Sequence, residues 1–209
     1  EEHESFCAEL SRLKLGQIID VVPNLMGIER DNALWRDVLE NGPSSMYAKY
    51  FDIDWDPVKD ELKDKVLLPI LGDHYGQVLG RRELRLAYDS GAFVVRYFDH
   101  ALPLAPRMFR PVLRHQLDEL GSSLGVDHFE FIELQSVVTA LDHLPERTVT
   151  DREKVIERNR EKEVIKRRLA ALTEKSAAAA DFIARNVEYF NGTPGQPRSF
   201  DALDQLLAG

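Results

Sequence analysis

GQIIDVVPN, residues 16–24, carries an almost wholly apolar run, IIDVV, between a glycine and Pro23-Asn24. Strands apolar on both faces belong to parallel sheets covered by helices. Residues 1–14 precede it with Phe6, Leu10 and Leu13 at helical spacing, and Gly16 is available to end that helix. Helix, glycine, apolar strand reads as one unit of a β/α barrel, spanning residues 1–31. Asp20 is the single charge in the strand. Active sites lie at the C-terminal ends of barrel strands, and a buried carboxylate there needs hydrogen-bond partners. Tying down a neighbouring arginine or backbone amides would account for Asp20 as well as ligand contact does. Asn24 suits the turn after Pro23 on conformational grounds alone.

From residue 32 the pattern changes. Residues 32–39 present Leu34, Trp35, Val38 and Leu39 at helical spacing, and Asn41-Gly42 stops that helix. The stretch DVLENGPSSMYAKYFDIDW, residues 37–55, sets Tyr47, Tyr50, Phe51 and Trp55 among carboxylates; Pro43, Pro57 and Pro69 punctuate an irregular path. Residues 83–88 (ELRLAY) and 92–97 (AFVVRY) alternate apolar and polar around Asp89-Ser90-Gly91, a hairpin signal. Residues 32–106 therefore read as a small mixed α/β subdomain inserted after the barrel strand. Trp35 and its neighbouring aromatics suit either the core of that subdomain or a platform for sugar rings, a core being the commoner use. Asp73-His74-Tyr75, between Gly72 and Gly76, reads as a substrate loop or a plain turn. Asp52, Asp54 and Asp56 alternate, but a calcium loop would need Gly and Glu where this chain has Pro57 and Lys63.

Residues 107–209 read as a helical region. Helices are expected over 111–120, ended by Gly121, and over 128–144, ended before Pro145. Thr150 with Glu153 has the form of a capping box, opening a long charged helix over 151–172. Within it Glu163 and Arg167 stand at i,i+4 in the favourable order, and the mixed charge predicts a solvated face rather than a nucleic-acid contact. A further helix over 176–190 stops at Asn191-Gly192, its four alanines suiting close packing. Pro194, Gly195 and Pro197 make a rigid turn, and Ser199 is placed to cap a last helix toward Leu207.

Composition narrows the function classes. A net charge of −9 argues against sequence-independent binding to nucleic acid or to an anionic membrane. The single cysteine, Cys7, excludes an intrachain disulfide and reads as a buried inert thiol, and no two histidines have the i,i+4 spacing of a helical zinc pair. No apolar run approaches a membrane span and no signal peptide is visible, which fits a reducing, cytoplasmic setting. No nucleophile elbow, P-loop or dinucleotide fingerprint occurs.

Several strings carry a specific resemblance. The third barrel strand of the α-amylase superfamily ends Asp-x-x-x-Asn-His; Asp20 and Asn24 match it, with Leu25 in place of the histidine and Met26-Gly27 in register beyond. DVLENGPSS, YFDIDW, KVLLP, LGDHYG, HLPERT, REKEVIKRRLAAL and NGTPGQPRSFDAL extend the likeness along the chain. The sequence resembles the malto-oligosyltrehalose synthases, α-amylase-superfamily enzymes of glycoside hydrolase family 13.

The resemblance implies a fragment of a (β/α)8 TIM barrel carrying the inserted subdomain and the long helical region. It implies a parent enzyme that turns the reducing-end α-1,4 bond of a malto-oligosaccharide into an α,α-1,1 bond by retaining, intramolecular transglycosylation. Asp20, Asn24, Trp35, Asp73 and His74 are then expected at the substrate. No cofactor or metal is implied; the partners are the malto-oligosaccharide and the rest of the catalytic barrel. The family's nucleophile and acid/base segments have no counterpart in these 209 residues, so no residue takes a catalytic role. The competing readings are a non-catalytic carbohydrate-binding or regulatory module of the same fold, and a helical interaction protein.

Overall fold

The structure, a computed structural model, describes residues 2–20, 27–28 and 31–208. Helix α1 (Glu2–Arg12) forms as its apolar spacing predicts, but Lys14, not Gly16, takes the left-handed conformation after it, at φ 57°. Residues 17–20 have no regular structure and are exposed, Ile18 at 99%. This corrects the strand expected over 17–22, of which residues 21 and 22 lie outside the described residues. A parallel strand satisfies its backbone only between parallel neighbours, and the sheet that is present offers none.

That sheet is an antiparallel meander of β1 (Leu84–Asp89), β2 (Ala92–Tyr97) and β3 (His100–Pro103), in spatial order β1-β2-β3. Leu86 faces Val95, and Val95 in turn faces Leu102. The expected hairpin forms on a two-residue turn, Ser90 and Gly91, both at positive φ as a tight right-twisted hairpin requires. Gly91 is also packed on a helix: an added Cβ would lie 2.0 Å from the Lys166 carbonyl oxygen. The third strand was not expected, because HALP is short; its Pro103 suits an edge. The described chain is thus mixed α and β around one small antiparallel sheet, and it contains no eight-stranded barrel.

Helix α2 (Ala33–Asn41) is capped by Asn32, whose Oδ1 accepts from the amides of Leu34 and Trp35 at 3.0 and 3.1 Å. After α3 (Tyr75–Gly80) and the sheet come α4 (Phe109–Arg114), α5 (Leu117–Leu124), α6 (Phe129–His143), α7 (Arg152–Lys175), α8 (Ala177–Phe190) and α9 (Asp201–Ala208). The helix expected over 111–120 is broken at Gln116, which is left-handed at φ 54°. Gly121, expected as a stop, lies inside α5, where an added Cβ would meet the Phe131 ring at 2.6 Å. The Thr150 capping box is replaced by Asp151, whose Oδ1 accepts from the Lys154 amide at 3.1 Å. Arg167 donates to the Glu163 backbone carbonyl at 3.2 Å rather than to its carboxylate.

Among the described residues two apolar clusters form. The larger covers the sheet (Leu86, Phe93, Val95) with α4, α6, α7 and α8 through Phe109, Leu134, Leu169 and Ile183. The smaller gathers Trp35, Val38 and Phe51, with Tyr47 and Trp55 packed at its edge. Among the described residues no helix is long and apolar enough to cross a membrane.

Candidate functional site

The structure disperses most of the residues singled out in the sequence. Asp20 is exposed on the irregular segment after α1; Asn24 and Leu25 lie outside the described residues. Trp35 is 6% exposed, its ring centroid 5.0 Å from that of Phe51, so packing takes nearly all of its surface. Cys7 makes a sulfur contact with the ring of His3, one turn away, and is not in the core. Asp73 and His74 stand at the start of α3. The Asp73 carboxylate accepts from Arg81 Nη1 at 2.9 Å and from the His74 amide at 2.7 Å. Those two contacts, Arg81 first, hold its carboxyl below the usual range.

The same corner joins LGDHYG to NGTPGQPRSFDAL. Tyr75 Oη donates to Asp204 Oδ1 at 2.7 Å, and α3 packs on the single helical turn Pro197–Phe200. Partial burial, with that bond, pushes the Tyr75 phenol above its ordinary value. The chain leaves α8 through Gly192, at φ 63°, where an added Cβ would lie 2.7 Å from the Phe200 ring. Ser199 does not cap α9 as expected. Its Oγ accepts from the Thr193 amide at 2.7 Å and donates to a loop carbonyl, that of Gln196 lying at 2.7 Å. Beside this clasped loop lies a depression of about 580 Å³ lined by Arg185, Glu188, Tyr189, Thr193, Arg198 and Asp201. Tyr189 is 54% exposed and stacks on His115, with centroids 3.8 Å apart and planes 19° off parallel.

A second polar node is buried. Lys162, 4% exposed, places Nζ 3.1 Å from Asp37 Oδ2 and 3.8 Å from Glu40 Oε1, while Lys166 Nζ lies 2.5 Å from Glu40 Oε1. Ser45 Oγ and Asn41 Nδ2 also donate to the Asp37 carboxylate, at 2.5 and 3.0 Å. Nearby Arg158 is 1% exposed and donates to the Pro145 carbonyl at 2.5 Å, but its Nε and Nη2 have no partner. Burial pushes its guanidinium down to about 10; Glu40 and Asp37 oppose that, and Arg147 and Arg107 add to it. Both carboxylates of this node lie against lysines of α7, so it clamps α2 to α7.

Helix α7 has the solvated face expected of it, with Arg152, Lys154, Glu157, Arg160, Glu163 and Arg167 exposed, but two of its charges lie on the opposite side. Its buried stripe runs Arg158, Lys162, Ile165, Leu169, Leu172. That four-three spacing is legible in the sequence, but two charges at the head of an apolar stripe read as its exposed edge. His115 and Tyr189 were missed altogether, because nothing local marks two aromatic rings 74 residues apart as partners. Among the described residues no group of three or more His, Cys, Asp or Glu side chains could hold a metal ion.

No protein-family model matches the chain, and no solved structure matches it. Two curated relatives do, both named "Putative maltooligosyl trehalose synthase", from Mycobacterium tuberculosis strains CDC 1551 and H37Rv. Each is 41% identical over 95 residues, 44% of this chain. The match takes in 11% of each relative's own length, so this chain is similar to one short part of a much longer protein.

Proposed function

We propose that this chain is part of an enzyme of the maltooligosyl trehalose synthase type, acting on malto-oligosaccharides in the cytoplasm. The 41% identity over 95 residues carries this reading. The reaction is a retaining transfer. A carboxylate attacks the anomeric carbon of the penultimate glucose while an acid protonates the departing oxygen of the terminal glucose. The released glucose then attacks through its own anomeric hydroxyl, the carboxylate leaves, and the proton returns to the acid/base, so no water is consumed. In this reading both carboxylates come from outside these 209 residues. The same reading assigns Asp20, Asn24, Trp35, Asp73 and His74 to the substrate, Trp35 from within the apolar core.

Surface apolarity supports a missing partner. Leu15, Ile18 and Ile19 are 59, 99 and 69% exposed in one short segment. Three large apolar side chains left in water in one short segment call for cover, and the rest of a catalytic barrel would supply it. The test is to incubate the purified chain, and separately the whole enzyme its gene encodes, with maltopentaose. The whole enzyme is expected to yield a non-reducing, trehalose-ended product and the chain alone none. Conversion by the chain above a heat-killed control, or no such product from the whole enzyme, overturns the proposal.

A further inference from the structure

We infer that the depression between the end of α8 and the Thr193–Ser199 loop is a glucan-binding subsite, with Tyr189 as its stacking platform. The inference rests on the reading of the chain as part of a malto-oligosaccharide enzyme and adds a place for the sugar on this chain. Three observations converge on it.

The first is a platform already in position. His115 stacks on the Tyr189 ring, and Phe190 stands nearly perpendicular to it, with centroids 5.7 Å apart and planes 77° apart. The ring is held on two sides yet more than half exposed. A ring fixed before binding loses little rotamer freedom when a pyranose C–H face settles on it.

The second is the polar lining. Arg185 and Arg198 stand with Glu188 and Asp201 around the cavity, so donors and acceptors line it together. Glu188 is engaged by Arg82 at 2.6 Å. Arg185, Arg198 and Asp201 make no side-chain hydrogen bond or ion pair with any other described residue. Free donors and a free acceptor around one hollow are what the hydroxyls of a neutral sugar require. At about 580 Å³ the hollow also falls in the size range of small-molecule sites.

The third is a rigid rim. Ser199 clasps the loop through the Thr193 amide, and Gly192 lets it lie on Phe200 with no room for a side chain.

The experiment titrates the 209-residue chain with maltopentaose, following calorimetric heat and saturation-transfer NMR, against Tyr189→Ala, Arg198→Ala and a cellopentaose control. Saturable maltopentaose binding is expected. Tyr189→Ala should weaken it at least fivefold with unchanged circular dichroism, and Arg198→Ala, at an exposed residue, at least twofold. Should Tyr189→Ala fail to fold, Arg198→Ala decides alone. No saturable binding by the parent chain, equal binding of cellopentaose, or a folded Tyr189→Ala that binds within twofold of the parent overturns the subsite. None of these outcomes touches the whole-enzyme assay, so the subsite can fail while the functional reading stands.

Discussion

Arg158 and Lys162 stand one turn apart on the buried stripe of α7, and their surroundings give them opposite mutational signs. Lys162 faces two carboxylates at 3.1 and 3.8 Å. Removing it leaves buried negative charge short of a partner, which costs about 3–5 kcal/mol in comparable sites. Asp37 keeps its bonds from Ser45 and Asn41, so Lys162→Met should fall at the lower end, near ~3 kcal/mol. Arg158 is a buried cation with two nitrogens, Nε and Nη2, unpaired, each an uncompensated desolvation of about 1–3 kcal/mol. Its folded-state value lies below the ordinary guanidinium value, so the folded protein sheds that proton first. The burial therefore opposes folding below pH about 10 and is relieved as pH rises above it toward the ordinary guanidinium value. Arg158→Met, which keeps most of the volume, should leave stability unchanged or raise it by about 1 kcal/mol. Urea unfolding of the two variants at pH 7 checks the contrast. Equal losses would mean that Arg158 is as well paired as Lys162.

At the scale of the element, the start of α7 separates a sequence motif from the bond that forms. Thr150 and Glu153 have the spacing of a capping box, yet Asp151, one residue on, accepts from the Lys154 amide. Both residues have cap propensity, and the choice falls to the one whose backbone turns extended directly before the first helical residue, at φ −61° and ψ 129°. Asp151→Ala should cost about 1 kcal/mol, whereas Thr150→Ala should stay within about 0.5 kcal/mol of the parent, as an exposed residue without a structural bond does. Thermal melts of the pair measure this, and a larger loss at Thr150 would reinstate the capping box. Gly121 teaches the same lesson from the packing side. In an isolated helix a glycine reads as a stop, but against Phe131 at 2.6 Å it is the only residue that fits.

For the whole molecule, the exposed tract after α1 is the feature that its own fold does not explain. If a barrel covers Ile18 and Ile19 in the whole enzyme, the double change Ile18→Asp, Ile19→Asp should have position-dependent consequences. In the 209-residue chain both side chains already lie in water, so the melting temperature should move by no more than about a degree, as for other surface changes. In the whole enzyme the same change buries two unpaired charges and should lower the melting temperature by many degrees or prevent folding. Tolerance of the double change in the whole enzyme would show that the tract is not covered.

The elements were largely written in the sequence because they rest on short-range physics. Asn32 before an apolar periodicity, Ser90-Gly91 between alternating strands, and Ser176 before a run of alanines each fix backbone geometry within a few residues, and the structure has α2, the β1–β2 hairpin and α8 at those places. An apolar strand such as IIDVV depends on neighbours that a local pattern cannot supply, and without them residues 17–20 lie open. Only the tertiary structure decided which charges of α7 go inside, because Lys162 is buried by virtue of Asp37, 125 residues away. It alone also brought His115 under Tyr189 and Asp204 against Tyr75. Local signals carry dihedral preferences and periodicity; the identity of a long-range partner depends on how the helices pack, and no short window of sequence contains that packing.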